Sequence, residues 1–163
     1  MREILFRGKR ADNGEWVEGY LVNARYYLDN SPITIMIPSF SPYSDTFEPT
    51  LYPNSEVGEW EEVVPKTVGQ YTGLTDKNGK KIFEGDIVKT HYANAQKSDF
   101  IETVVFHNGK FCGFYENNGC KQWTTLYDGV PHLAIDKSVY MDSVEVIGNI
   151  HDNPELLKGG AGE

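Results

Sequence analysis

The sequence predicts a mainly β protein built from antiparallel strands and hairpins, and three observations carry that prediction. Aromatic residues are abundant, with ten Tyr, eight Phe and three Trp among 163 residues, and such side chains suit pleated, half-buried surfaces. Asn-Gly pairs punctuate the chain at Asn13-Gly14, Asn78-Gly79, Asn108-Gly109 and Asn118-Gly119. Asn-Gly tolerates the positive φ that a type I′ hairpin turn requires. The first three of these pairs sit between strand candidates, and beside Asn13-Gly14 and Asn108-Gly109 residues sort onto one face at alternate positions, the period of a strand.

The first hairpin joins Ile4-Leu5-Phe6-Arg7 to the run from Trp16 to Val22 across Asn13-Gly14. In the second strand Trp16, Glu18, Tyr20 and Val22 share one face. A third strand is predicted over Ile33–Ile37. Residues 38–65 then carry Pro38, Pro42, Pro49, Pro53 and Pro65, the signature of a long irregular excursion. Its aromatics (Phe40, Tyr43, Phe47, Tyr52 and Trp60) argue against plain disorder and suit packing on the body or contact with a partner.

The block from Val68 to Lys89 reads as a hairpin on Asn78-Gly79, with Gly85-Asp86 turning the chain from Ile82-Phe83 into a core strand, Ile87–Tyr92. The third Asn-Gly pair links Phe100–His107 to Lys110–Tyr115. Phe100, Val104 and Phe106 fall on one side there, interrupted by Glu102. Val144–Ile150 is the final strand. A short C-terminal helix follows, with Asn153 as its cap and Pro154 at its first position, where a missing N–H costs nothing. These elements divide into an N-terminal β part over 1–65 with its proline- and aromatic-rich excursion, a compact unit over 66–157 expected as a small SH3-like barrel, and a flexible tail over 158–163.

The formal net charge is −9, which repels nucleic-acid phosphates at long range. Residues 41–65 hold six acids and no base, whereas residues 66–90 hold five lysines against three acids. Both runs read as solvated surface. No apolar run reaches the roughly 18 residues of a membrane span, and the N-terminus lacks a secretory core, so a cytoplasmic location is expected. Cys112 and Cys120 are expected to be reduced and packed, as suits that compartment.

Signatures of chemistry do not assemble. Gly73 and Gly79 are separated by five residues and Lys80 is followed by Lys81, which breaks the phosphate-loop spacing. His91, His107, His132 and His151 form no i, i+4 pair, and the two cysteines form no Cys-x-x-Cys, so no metal site is predicted. No Gly-x-Ser-x-Gly elbow occurs. Asp86 is better explained as a turn residue bonding nearby N–H groups than as an acid or base. The expectation is therefore a non-enzyme without cofactor. Nucleic-acid binding is the alternative, through the basic cluster Arg7, Lys9 and Arg10, with Lys77, Lys80 and Lys81 nearby in kind. Base stacking would need exposed aromatics beside these bases, and Tyr26-Tyr27 and Tyr71 are candidates in name only, since aromatic residues in β proteins are mostly core.

Three blocks carry a family resemblance. Arg2 to Arg10 with Gly14 to Tyr20 opens the chain, Thr67 to Leu74 lies at its centre, and Glu145 to Leu157 closes it. In this order they resemble the YopX family of phage and prophage proteins. The resemblance implies an accessory protein of a bacteriophage or prophage, mostly β, acting in the bacterial host through contacts with itself as a homo-oligomer or with a phage or host protein. It supplies no catalytic residues to carry over.

Overall fold

A computed structural model of the protein describes residues 4–25, 32–37, 60–93, 99–117, 119–126 and 140–160. Residues 38–59 of the excursion, Tyr26-Tyr27 and the last residues of the tail lie outside the described residues. The chain divides into two compact units, Glu3–Gln70 and Tyr71–Glu163.

The first unit is an antiparallel sheet. Strands β1 (Phe6–Lys9), β2 (Trp16–Arg25), β3 (Pro32–Ile37), β4 (Glu61–Glu62) and the start of β5 (Gly69–Thr75) lie in the order β4-β3-β2-β1-β5. Asn13 shapes the first turn, because its side-chain oxygen accepts the Glu15 N–H at 2.9 Å. Gly14 takes φ 74° there, a value that glycine adopts without a Cβ penalty. Leu5, Ile33, Met36 and Val63 are buried. A Cβ on Gly8 would lie 3.1 Å from Val63 Cβ, so glycine lets β1 approach Val63. A 3-10 turn, Pro65–Thr67, is tied to β1 by Thr67, whose hydroxyl donates to Val64 O at 2.7 Å and accepts from Lys9 N at 2.9 Å.

The second unit begins with a hairpin of β5 and β6 (Lys81–Phe83), paired at Tyr71↔Phe83 and Thr75↔Lys81. A five-stranded antiparallel sheet follows: β7 (Asp86–Ala93), β8 (Asp99–His107), β9 (Lys110–Asn117), β10 (Cys120–Thr125) and β11 (Tyr140–Asn149), in the order β10-β9-β8-β7-β11. Asn108 and Gly109 take φ 50° and 81° between β8 and β9, the two positive values of a type I′ turn. Ile82, Val88, Val104, Leu126 and Val144 form the core, with Leu74, Phe111 and Val146 packed on it. Each such side chain stabilises the fold by about 1.5–3 kcal/mol relative to exposure.

Two expectations change. The expected SH3-like barrel is not found closed: among the described residues β10 and β11 end the strand order and each pairs with one neighbour, whereas a closed barrel requires its end strands to meet. The C-terminal helix is a 3-10 segment, Pro154–Gly160, opened by an i→i+3 bond from Leu156 N to Asn153 O at 3.1 Å. Its length and its two terminal glycines disfavour an α-helix. Among the described residues no helix is long and apolar enough to cross a membrane.

Candidate functional site

The two ends of the second unit's sheet are finished differently. At β11, Asp76 closes the edge. Its Oδ1 accepts the N–H groups of Asn78 and Lys80 at 2.8 and 2.9 Å, and its Oδ2 accepts Val146 N–H at 3.1 Å. Lys77 N donates to Val144 O at 2.9 Å. Burial raises the Asp76 carboxyl, but the three N–H groups outweigh it and hold its pKa below the ordinary carboxylate value. Gly79, at φ 81°, lets the loop curl back onto its own aspartate. Asp86 works the same way nearby, accepting Phe83 N–H at 2.7 Å below Gly85 at φ 82°. The glycine-rich block is thus a backbone clamp.

Strand β10 ends the sheet on the other side. Its six residues pair with β9 from Cys120↔Asn117 to Thr125↔Cys112. Among the described residues its outer side carries no backbone hydrogen bond. A side-chain hydrogen bond ties it inward. The buried Glu102 of β8 accepts Thr90 Oγ1 from β7 at 2.7 Å and accepts the Thr124 hydroxyl from β10. Gly113 leaves the space for this bridge, since a Cβ there would collide with Thr124 Oγ1 and come within 2.9 Å of Glu102. Burial raises the Glu102 pKa, and the two hydroxyls only partly oppose it.

Across the open face of the same sheet lies a polar cleft of about 260 Å³ lined by Lys77, Lys89, His91, Asp99, Ser143 and Glu145. Lys77 pairs with Glu145 at 2.6 Å, and Asp99 holds Lys89 at 2.8 Å and His91 at 2.7 Å. Register sets Ser143, His91 and Asp99 side by side on β11, β7 and β8. Among the described residues no hydrogen bond joins Ser143 to His91. The hydrogen bonds from His91 and Lys89 lower the Asp99 pKa. This is an exposed ion-pair ladder whose charges answer one another.

Towards β10 the face turns aromatic. Trp123, 46% exposed, stacks on His107 with centroids 4.7 Å apart and planes at 14°. Phe114 leans on it at 5.6 Å. Lys110 lies opposite His107, and Lys121 lies two residues from Trp123 on the same face, opposite Glu116. Both lysines are exposed.

Arg7, Lys9 and Arg10, the sequence's nucleic-acid candidates, lie in the first unit. Arg7 and Lys9 both cover the Trp16 ring, at 4.7 and 5.4 Å. Arg10 faces two acids, Asp12 at 2.8 Å and Glu61 at 3.1 Å, and the hydrogen bond to Asp12 raises its pKa. Cys112 is a buried free thiol as expected, but Cys120 is exposed rather than packed. The aromatic corner escaped the sequence reading because Cys120–Thr125 holds one large apolar residue and shows no alternation. The signal was the fourth Asn-Gly pair, whose Gly119 takes φ 77° at the entrance to β10.

The sequence profile of the YopX family, described as YopX protein, matches residues 5–158. The crystal structure of protein EF1440 from Enterococcus faecalis is similar to this chain at 28% identity and a TM-score of 0.51, over 96% of this chain and 99% of that one. No curated relative matches.

Proposed function

From the premise that this chain belongs to the YopX family, we propose a phage or prophage accessory protein that acts in the host cytoplasm through protein contacts, without catalysis. Its first partner is a second copy of itself. The observation that carries this reading is the contrast between sheet ends: Asp76 and the Lys77 N–H occupy the β11 edge, while β10 presents an open edge among the described residues. Native proteins blunt exposed edges or use them for strand addition. Two β10 strands related by a two-fold axis would extend the sheet with an isologous contact.

Light scattering tests the association. Of two successive strand residues, one N–H faces outward, so Lys121→Pro and Gln122→Pro together sample both directions. The wild type is expected to show a dimer mass, and the proline whose N–H faces outward is expected to return a folded monomer. A wild type that stays monomeric at high concentration overturns the reading.

A further inference from the structure

We propose that the open face of β8–β10 binds single-stranded nucleic acid, with a base stacked on Trp123 and phosphates held by Lys110 and Lys121. This goes beyond the self-association reading and uses the face of the sheet rather than its edge.

The first support is the preset geometry of the indole. Trp123 is 46% exposed, yet His107 stacks on it at 4.7 Å and 14° while Phe114 braces it at 5.6 Å. A ring already held in one orientation loses little further freedom when a ligand meets it. Every base offers a π-face, so such a platform tolerates any sequence. A buried core tryptophan would not leave nearly half of its surface in water.

The second support is charge complementarity. Lys77, Lys89 and Arg10 are each neutralised by a carboxylate within 3.1 Å. Lys110 and Lys121 form no ion pair among the described residues, although Glu116 lies opposite Lys121 in the register. They flank the aromatic stack on the same face, Lys110 through its pairing with His107 and Lys121 through its spacing from Trp123. Two lysines around one exposed ring match a base with its neighbouring phosphates. A duplex hides its base faces and cannot use the ring in this way. The net charge of −9 and Glu116 oppose the interaction, so binding is modest and strongest at low salt. Two phosphate contacts imply that log K falls with log salt at a slope of about −1.4.

Fluorescence anisotropy with labelled oligothymidylate, oligouridylate and a DNA duplex of equal length tests the proposal. Both single strands are expected to bind at low salt more tightly than the duplex, and the stronger of the two distinguishes DNA from RNA as the source. Trp123→Ala is expected to weaken binding roughly ten-fold. The charge-reversal pair Lys110→Glu and Lys121→Glu, at exposed positions that leave the thermal midpoint unchanged, is expected to abolish it. Failure of both single strands to bind at low salt overturns the proposal. So does binding that survives these variants but is lost when Arg7, Lys9 and Arg10 are neutralised, which would move the site to the first unit. Dimer mass is read independently, so self-association can stand when nucleic-acid binding fails.

Discussion

The two ends of the second unit's sheet each depend on a buried carboxylate, and the two carboxylates behave in opposite ways. Asp76, 6% exposed, accepts three backbone N–H groups, and its pKa falls. Glu102, 0% exposed, accepts two hydroxyls, and its pKa rises. Backbone N–H groups cannot turn away and carry no competing lone pair, so they hold a charge against desolvation. Hydroxyls can rotate and also accept, so they satisfy a neutral carboxyl as readily as a charged one. Asp76 is therefore a charged clamp that seals β11. Glu102 is a bridge with a raised pKa that tethers β10, whose outer edge is open among the described residues.

The largest way to break this contrast is Asp76→Ala, which strands three N–H groups and reopens the β11 edge. A loss of about 3 kcal/mol or more is expected in chemical denaturation, since bonds to a charged acceptor contribute about 1.5–3 kcal/mol each and are not additive. Gly113→Ala comes next. Its Cβ meets Thr124 Oγ1 and Glu102, an overpacking cost of about 1–3 kcal/mol. Hydrogen exchange should show β10 loosening more than β11 in that variant.

The smallest effect is the most discriminating, because it is a matter of sign. Glu102 binds its proton more tightly folded than unfolded. Stability from this group is therefore greatest below the unfolded glutamate pKa of about 4.3 and declines as pH rises from there towards the raised folded value. Asp76 is the reverse. Its contribution is present above the unfolded aspartate pKa of about 3.9 and is lost as pH falls through the depressed folded value. Glu102→Gln mimics the protonated acid. It should match the wild type at about pH 4 and become the more stable protein as pH rises, in melts across that range. An Asp76→Asn protein should instead fall furthest behind the wild type at neutral pH and approach it in acid.

Much of the strand pattern was legible in the sequence. Period-two alternation marked β2, β8 and β11, apolar runs between turn signals marked β3, β6, β7, β9 and half of β1, and Asn108-Gly109 announced its turn. Asp86 was read as a turn or strand-entry residue bonding nearby N–H groups, and it opens β7 while accepting Phe83 N–H; Glu102 was already visible as an acid interrupting an apolar face. Its partners were not, because Thr90 and Thr124 reach it only through cross-strand register, which local pattern does not encode. Strand β5 was legible only as the unbounded first arm of the Asn78-Gly79 hairpin, and β10 was masked by its polar composition. The open sheet order was hidden for the same reason: without β10, the remaining strands fit a small barrel. The aromatic corner depends on β10 and vanished with it.

The asymmetry between sheet ends is tested most directly by hydrogen exchange of the wild type as a function of protein concentration. Amides of Cys120–Thr125 should gain protection as concentration rises and β10 finds a second copy. The amide of Val146, held by Asp76 within one chain, should stay equally protected throughout. Concentration-independent exchange in β10, or protection that grows in β11 instead, would contradict the assignment of β10 as the working edge.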